Sequence, residues 1–356
     1  MKRTFRVLLA SALTWLPCVA PSGAGQGAAS TASKEPASPS ARHERMAFFE
    51  GTWELEPGGK PANIAKDAGR RETCSWLAGA RRHIVCRTFR ESATGPRESL
   101  YVLSYNEHDA KYTAWFAFPG GQTLLYHGTL DGDRWTMELQ PPRASLRLRT
   151  VITPTESGMR FVEEGSKDGG PWEISEDYRY KRVPGDQPRS AVAPNPSPAA
   201  AKGPSTPSAP HERLAFFEGT WEFETGTTPD VIAKRTGRRE TCEWLAGGRR
   251  HIVCLQTSKS ADGAAQESMY ILSYRESDST YLAYFAIPGG QTVVFRGTPT
   301  TDGWVMDLQP TPLVPDGMRM RTTITRTANG LRFVDESSTS GGPWQVSEDY
   351  QHRRIR

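Results

Sequence analysis

The chain carries one sequence twice. HERMAFFEGTWELE at residues 43–56 returns as HERLAFFEGTWEFE at 211–224. RRETCSWLAGARRHIVC at 70–86 returns as RRETCEWLAGGRRHIVC at 238–254, and GGPWEISEDY at 169–178 as GGPWQVSEDY at 341–350. The copies run from His43 to Arg182 and from His211 to Arg354, about 140 residues each. That is the size of one ordinary domain. Solenoid repeats are much shorter, ~20–50 residues, so this period describes a tandem domain pair. The question of function reduces to one domain and to what its second copy adds.

Residues 1–24 read as a signal peptide. Lys2, Arg3 and Arg6 precede an apolar run, Val7 to Val19, of about 13 residues. That is too short to span a bilayer, which takes ~20. Ser22-Gly23-Ala24 supplies the small residues of a cleavage site, and no later stretch reads as a transmembrane segment. Removing the leader takes three basic residues from the formal charge of +4, leaving a nearly neutral chain. A nucleic-acid partner is thereby disfavoured, since it would want a basic stripe. Four cysteines remain, Cys74, Cys86, Cys242 and Cys254, two per copy at the same offset. In an exported protein, periplasmic or secreted, such an even set reads as disulfides. Residues 25–42 and 183–210 are rich in Ala, Pro, Ser and Gly and offer little to bury. They are expected to be disordered spacers around two domains, 43–182 and 211–356.

Each copy reads as about ten short strands. The runs are dense in β-branched and aromatic residues and are punctuated by turns such as LAGG, PGGQ, TTDG and SGGP. Met318, Met320, Thr322 and Ile324 alternate with Arg319, Arg321, Thr323 and Thr325, the pattern of a half-buried antiparallel strand. HERMAFFE and HERLAFFE are the only helical candidates. Consecutive hairpins leave two open edges unless the sheet closes. The expected fold is therefore all-β, two tandem up-and-down barrels, with a two-sheet sandwich as the alternative. Counting from the LAGA and LAGG turns places Cys74 opposite Cys86 and Cys242 opposite Cys254, within reach of a disulfide.

Gly51-Thr52-Trp53 and Gly219-Thr220-Trp221, after an aromatic-rich start, resemble the G-x-W signature of the calycins, the superfamily of lipocalins, fatty-acid-binding proteins and nitrobindin-like barrels. The order FFEGTW, LAGARR or LAGGRR, SYN or SYR, and YKR or HRR most resembles a bacterial lipocalin-like domain of unknown function. Ser104-Tyr105-Asn106 and Ser273-Tyr274-Arg275 depart from its G-Y-D, and His352 from its closing Tyr. The resemblance implies that Trp53 and Trp221 plug the barrel floor, with Arg182 and Arg354 lying across their indoles. It also raises haem. The matched histidines, His83 and His251, lie early in each copy beside arginines, however, and read as surface hairpin residues. No cofactor and no metal are expected.

Period two supplies the candidate ligand-lining residues. With Trp172 and Ile174 inward, Glu176 and Tyr178 follow, as do Glu348 and Tyr350 in copy two. Phe161 carries Glu163 inward, and Phe333 carries Asp335. Trp115 and Tyr126, with Phe285 and Phe295, supply aromatic wall. The arginine doublets at 70–71, 81–82 and 238–239 read as solvated strand ends. The connections at the end of the barrel holding PGGQ and GGPW differ most between copies and are expected to form the mouth. The leading expectation is a non-catalytic binder of a small hydrophobic or amphipathic molecule in each barrel. The alternatives are filled barrels that meet an envelope protein partner, and an enzyme using a lumen carboxylate as general acid or base. The spacer's length implies barrels that dock weakly.

Overall fold

In a computed structural model, the described residues are 40–57, 59, 70–79, 81–90, 95–141, 145–185, 209–259 and 263–355. The expected leader and most of both spacers lie outside them. Ten strands form the first barrel: β1 (Gly51–Leu55), β2 (Arg71–Trp76), β3 (His83–Arg90), β4 (Arg97–Asn106), β5 (Lys111–Ala117), β6 (Thr123–Asp131), β7 (Arg134–Gln140), β8 (Leu146–Pro154), β9 (Gly158–Lys167) and β10 (Glu173–Arg182). The second repeats them as β11 (Gly219–Gly226), β12 (Arg239–Trp244), β13 (His251–Lys259), β14 (Ala265–Arg275), β15 (Thr280–Ala286), β16 (Thr292–Pro299), β17 (Gly303–Leu308), β18 (Met318–Arg326), β19 (Gly330–Thr339) and β20 (Gln345–Arg354). Each strand pairs antiparallel with its sequence neighbours. β1 closes on β10, and β11 on β20, so both sheets are closed barrels.

The entry to each barrel is a short helix, α1 (Ala41–Arg45) or α2 (Ala209–Glu212), running into a 3-10 turn. Among the described residues no helix is long and apolar enough to cross a membrane. The turn seats Phe49 and Phe217 inside, and the two indoles donate to their carbonyls, Trp53 Nε1 at 2.8 Å and Trp221 Nε1 at 2.9 Å. Arg182, opposite Trp53 in the register, lies with its Cζ 4.4 Å from the indole centroid. Arg354 stands 5.4 Å from that of Trp221. Each cation lies over the face of a buried indole. Cys74–Cys86 and Cys242–Cys254 are disulfides across β2–β3 and β12–β13, each with a Cα separation of 4.0 Å.

The barrels are docked, contrary to the expectation of weak association. The contacts are reciprocal, as in an isologous dimer. His83 Nε2 lies 2.6 Å from the carbonyl oxygen of Ile287, and His251 Nε2 lies 2.8 Å from that of Phe118, the same position in the other copy. A carbonyl only accepts, so Nε2 carries the proton. Nδ1 then accepts from Ser104 at 2.6 Å, or from Ser273 at 2.7 Å. The amide of Ala78 donates to the Glu267 carboxylate at 2.7 Å and that of Ala246 to Glu98 at 3.0 Å. Between these polar contacts runs a shared apolar layer. Val85, Leu100, Val102 and Trp115 from one barrel meet Val253, Met269, Ile271 and Tyr284 from the other. His83 and His251 are therefore buried at a docking face, not on a free surface.

The sequence carried a sign of this face. HIVCRTF and SLYVLSY, like HIVCLQT and SMYILSY, carry apolar residues on both faces, and most of these residues are buried. A strand covered on both sides loses the alternation that a half-solvated strand keeps.

Candidate functional site

Among the described residues, those of the first lumen line a cavity of about 400 Å³ and those of the second a void of about 20 Å³. Small-molecule sites usually occupy ~300–1,000 Å³, whereas the smaller void has room for about one water. Phe49, Leu103, Met137, Ile152 and Phe161 line the apolar part of the first cavity, with Tyr101, Phe116 and Tyr126 along its wall. Its polar part is Arg70, Glu72, Thr150, Glu163, Glu176, Tyr178 and Tyr180.

Glu176 and Tyr178 face inward for a different reason from the one period two supplied. Ile174 is 58 % exposed, and Trp172 lies against Arg149, whose guanidinium is 4.2 Å from its ring centroid. A bulge between Ile174 and Glu176 then shifts the register by one residue and turns Glu176 opposite Glu163. The extra residue re-aims the strand's side chains. The same irregularity sets Glu348 opposite Asp335 while Val346 stays 61 % exposed.

Tyr178 stacks on Phe161 at 5.3 Å and donates to Glu163 at 3.1 Å. Burial, and then the neighbouring Glu176 carboxylate, raise the Glu163 pKa; burial raises Glu176 as well. Glu72 lies deeper, taking hydrogen bonds from Tyr101 at 2.9 Å and Thr88 at 3.0 Å, and burial raises its pKa also. Arg70 donates from Nε to the Tyr180 hydroxyl at 3.2 Å. Arg70 and its counterpart Arg238 thus point inward and Arg82 lies buried against the docked barrel, so the solvated reading of the doublets holds only for their partners, Arg71, Arg81 and Arg239.

Trp115 does not line this cavity. It sits between Ala114 and Phe116, both of which do, so period two turns it outward into the inter-barrel layer. Phe285 and Phe295 pack 5.1 Å apart, with Tyr270 stacked on Phe285 at 4.5 Å. They border only the small void, as filling side chains.

The second lumen is filled from the mouth by a helix that sequence analysis missed, α3 (Pro229–Arg235). Its start signals were legible. Thr228 caps the Val231 amide at 3.3 Å, Pro229 opens the first turn, and Asp230 follows; each stabilises a helix N-terminus. Gly226 allows the close approach, since a Cβ there would lie 2.6 Å from Val231 Cγ1. The helix delivers Arg235, whose side chain is fully buried. Its Nε donates to Glu348 at 2.9 Å, its Nη2 to Asp335 at 3.3 Å and also to Glu348, and its Cζ lies 3.5 Å from the Tyr350 ring centroid. Lys234 reaches the other oxygen of Glu348 at 3.0 Å. In copy one the corresponding stretch is PANIAKDAG at 61–69, which lies outside the described residues; its sequence has Lys66 for Lys234 and Asp67 for Arg235.

Two further clusters, Glu72 with Cys74 and Cys86, and Glu240 with Cys242 and Cys254, have ligand-like spacing. Their sulfurs are engaged in the disulfides, so neither offers the thiolates a metal would take.

Comparison with known proteins leaves the activity open. A family described as a protein of unknown function (DUF1579) matches residues 206–354. No curated protein matches. Among solved structures, a protein of unknown function from Nostoc punctiforme, of the DUF3598 family, is 9 % identical; the match covers 89 % of this chain and 100 % of that one, with a TM-score of 0.20. Kievitone hydratase from Nectria haematococca is 6 % identical over 87 % of this chain and 90 % of its own, with a TM-score of 0.14. A putative AttH from Nitrosomonas europaea is 9 % identical over 86 % and 92 %, also at 0.14. At these values none of the three bears on function.

Proposed function

We propose that this chain is an exported lipocalin-like protein of the calycin type. Its first barrel binds a small, mainly apolar ligand, and its second is a filled barrel that braces the first. The observation that carries this reading is the difference in lumen volume, about 400 Å³ against about 20 Å³, between barrels of one sequence ancestry. The expectation of a ligand in each barrel is revised accordingly: Arg235 occupies from within the place where a ligand would lie. The apolar and aromatic wall would supply affinity, and the few convergent polar groups would set orientation. Export is supported by the basic-then-apolar start of the sequence and by two disulfides, which persist in oxidising compartments.

Native mass spectrometry of the full chain purified from its source tests the proposal. One added small-molecule mass per chain is expected. A bare chain that also fails to take up an environment-sensitive apolar dye would count against it.

A further inference from the structure

The second barrel shows what the polar half of the first is built to hold. Every described partner of the Arg235 guanidinium has a counterpart lining the open cavity: Glu163 for Asp335, Glu176 for Glu348, and Tyr178 for Tyr350. The supporting contacts repeat too. Phe161 backs Tyr178 with 3° between ring planes, as Phe333 backs Tyr350 with 2°. Thr150 stands opposite Glu163, as Thr322 stands opposite Asp335.

What does not repeat is the cation. The described charged groups of the second lumen are Arg235 and Arg238 with Glu240, Asp335 and Glu348. In the first they are Arg70 with Glu72, Glu163 and Glu176. Among the described residues the first lumen therefore has one positive charge fewer, and in the sequence Asp67 stands at the position of Arg235. Lys234, at the second mouth, has Lys66 at the matching position in the sequence of the first copy. Among the described residues no cation lies within ion-pair distance of Glu163 or Glu176. Arg70 does not forbid a second cation, since its counterpart Arg238 coexists with Arg235. Glu163 and Glu176 face one another half-buried in the cavity wall, and two such carboxyls bind a cation strongly when the contacts are hydrogen-bonded.

We propose that the first lumen is a site for a small organic cation, an ammonium or guanidinium group on an apolar body, with the charged head between Glu163, Glu176 and the face of Tyr178. This rests on the reading of the first barrel as a ligand binder and adds the chemical class of the ligand. The apolar body lies along Phe116, Tyr126, Met137 and Ile152. The head takes the position that Arg235 takes in the second barrel, with the same carboxylate and cation–π contacts.

Titration calorimetry of the full chain with three matched probes tests this: 4-phenylbutylamine, 4-phenylbutan-1-ol and 4-phenylbutyrate. The amine is expected to bind once per chain, about tenfold or more tighter than the alcohol, with the acid weakest, as charge-assisted hydrogen bonds imply. In the double variant Glu163→Gln, Glu176→Gln the amine's advantage over the alcohol should vanish, and an unchanged far-ultraviolet circular dichroism spectrum shows that the barrel is intact. Equal binding of amine and alcohol to the native chain overturns the cation proposal and leaves the ligand-binding reading standing. Binding of none of the three overturns both.

Discussion

Trp115 and Tyr284 stack face to face across the junction of the two barrels, with ring centroids 5.1 Å apart and planes 6° from parallel. They are the same position of the repeat, so they lie where the pseudo-two-fold axis passes. Each side chain points away from its own lumen into a layer neither barrel could bury alone. The second copy therefore adds, first of all, a cover for the outer face of β3–β5.

Cleavage of the spacer is expected to leave the halves associated. Co-elution of the two fragments on size exclusion, after nicking within 186–208, checks this. Trp115→Ala or Tyr284→Ala should cost about 3–5 kcal/mol in urea unfolding of the full chain, as buried aromatic truncations do. Fragments that separate at micromolar concentration would show the docking to be weak.

Stability should fall with acid through the histidines of this junction. Burial holds His83 and His251 at about 4, well under the ordinary histidine value of 6.5. His43 beside Arg82, and His211 beside Arg250, are lowered in the same direction, by burial first and then by the arginine. Between pH 6.5 and 4 the unfolded chain binds more protons than the folded one. The stabilisation is thus complete above 6.5 and is lost as pH falls toward 4, by about 3 kcal/mol per buried histidine. Glu240, raised to about 7 by burial, opposes this trend below pH 7. The check is therefore differential: melting of the native chain and of His83→Gln at pH 7 and pH 5. The variant should lose less stability between the two.

Arg235→Ala should destabilise the second barrel by about 3–5 kcal/mol, because Asp335 and Glu348 are left buried and facing one another. Millimolar methylguanidinium should raise the melting temperature of this variant and leave that of the native chain unchanged. Equal effects on both would mean that the guanidinium position is not a discrete site.

Loss of either disulfide should cost about 3 kcal/mol, the chain-entropy value for a loop of this size. Cys74→Ala with Cys86→Ala, and the matching pair Cys242→Ala with Cys254→Ala, should each lower the urea midpoint by a similar amount. Their sulfurs are buried, so reductant alone should act slowly on the folded chain. Peptide mapping without reduction checks the connectivity.

The sequence by itself determined the duplication, the ten-strand meander, the hairpin register that joins the cysteines, and which carboxyls share a face with Phe161 and Phe333. These follow from local periodicity and turn chemistry, which a single strand or hairpin expresses. Only the tertiary structure decided what each face meets. Period two puts Trp115 opposite Ala114 and Phe116 but does not say whether its side meets water, a lumen or another barrel; docking decided that. The same rule brought Glu176 inward by way of Ile174, which is in fact outside, and the bulge at residue 175 supplied the turn. Whether a lumen is open was equally beyond local pattern. One barrel is filled because a seven-residue helix, capped by Thr228, carries Arg235 to two acids 100 and 113 residues away in the chain. Such a contact is fixed by the closure of the sheet, which brings the first connection and the last two strands to the same mouth.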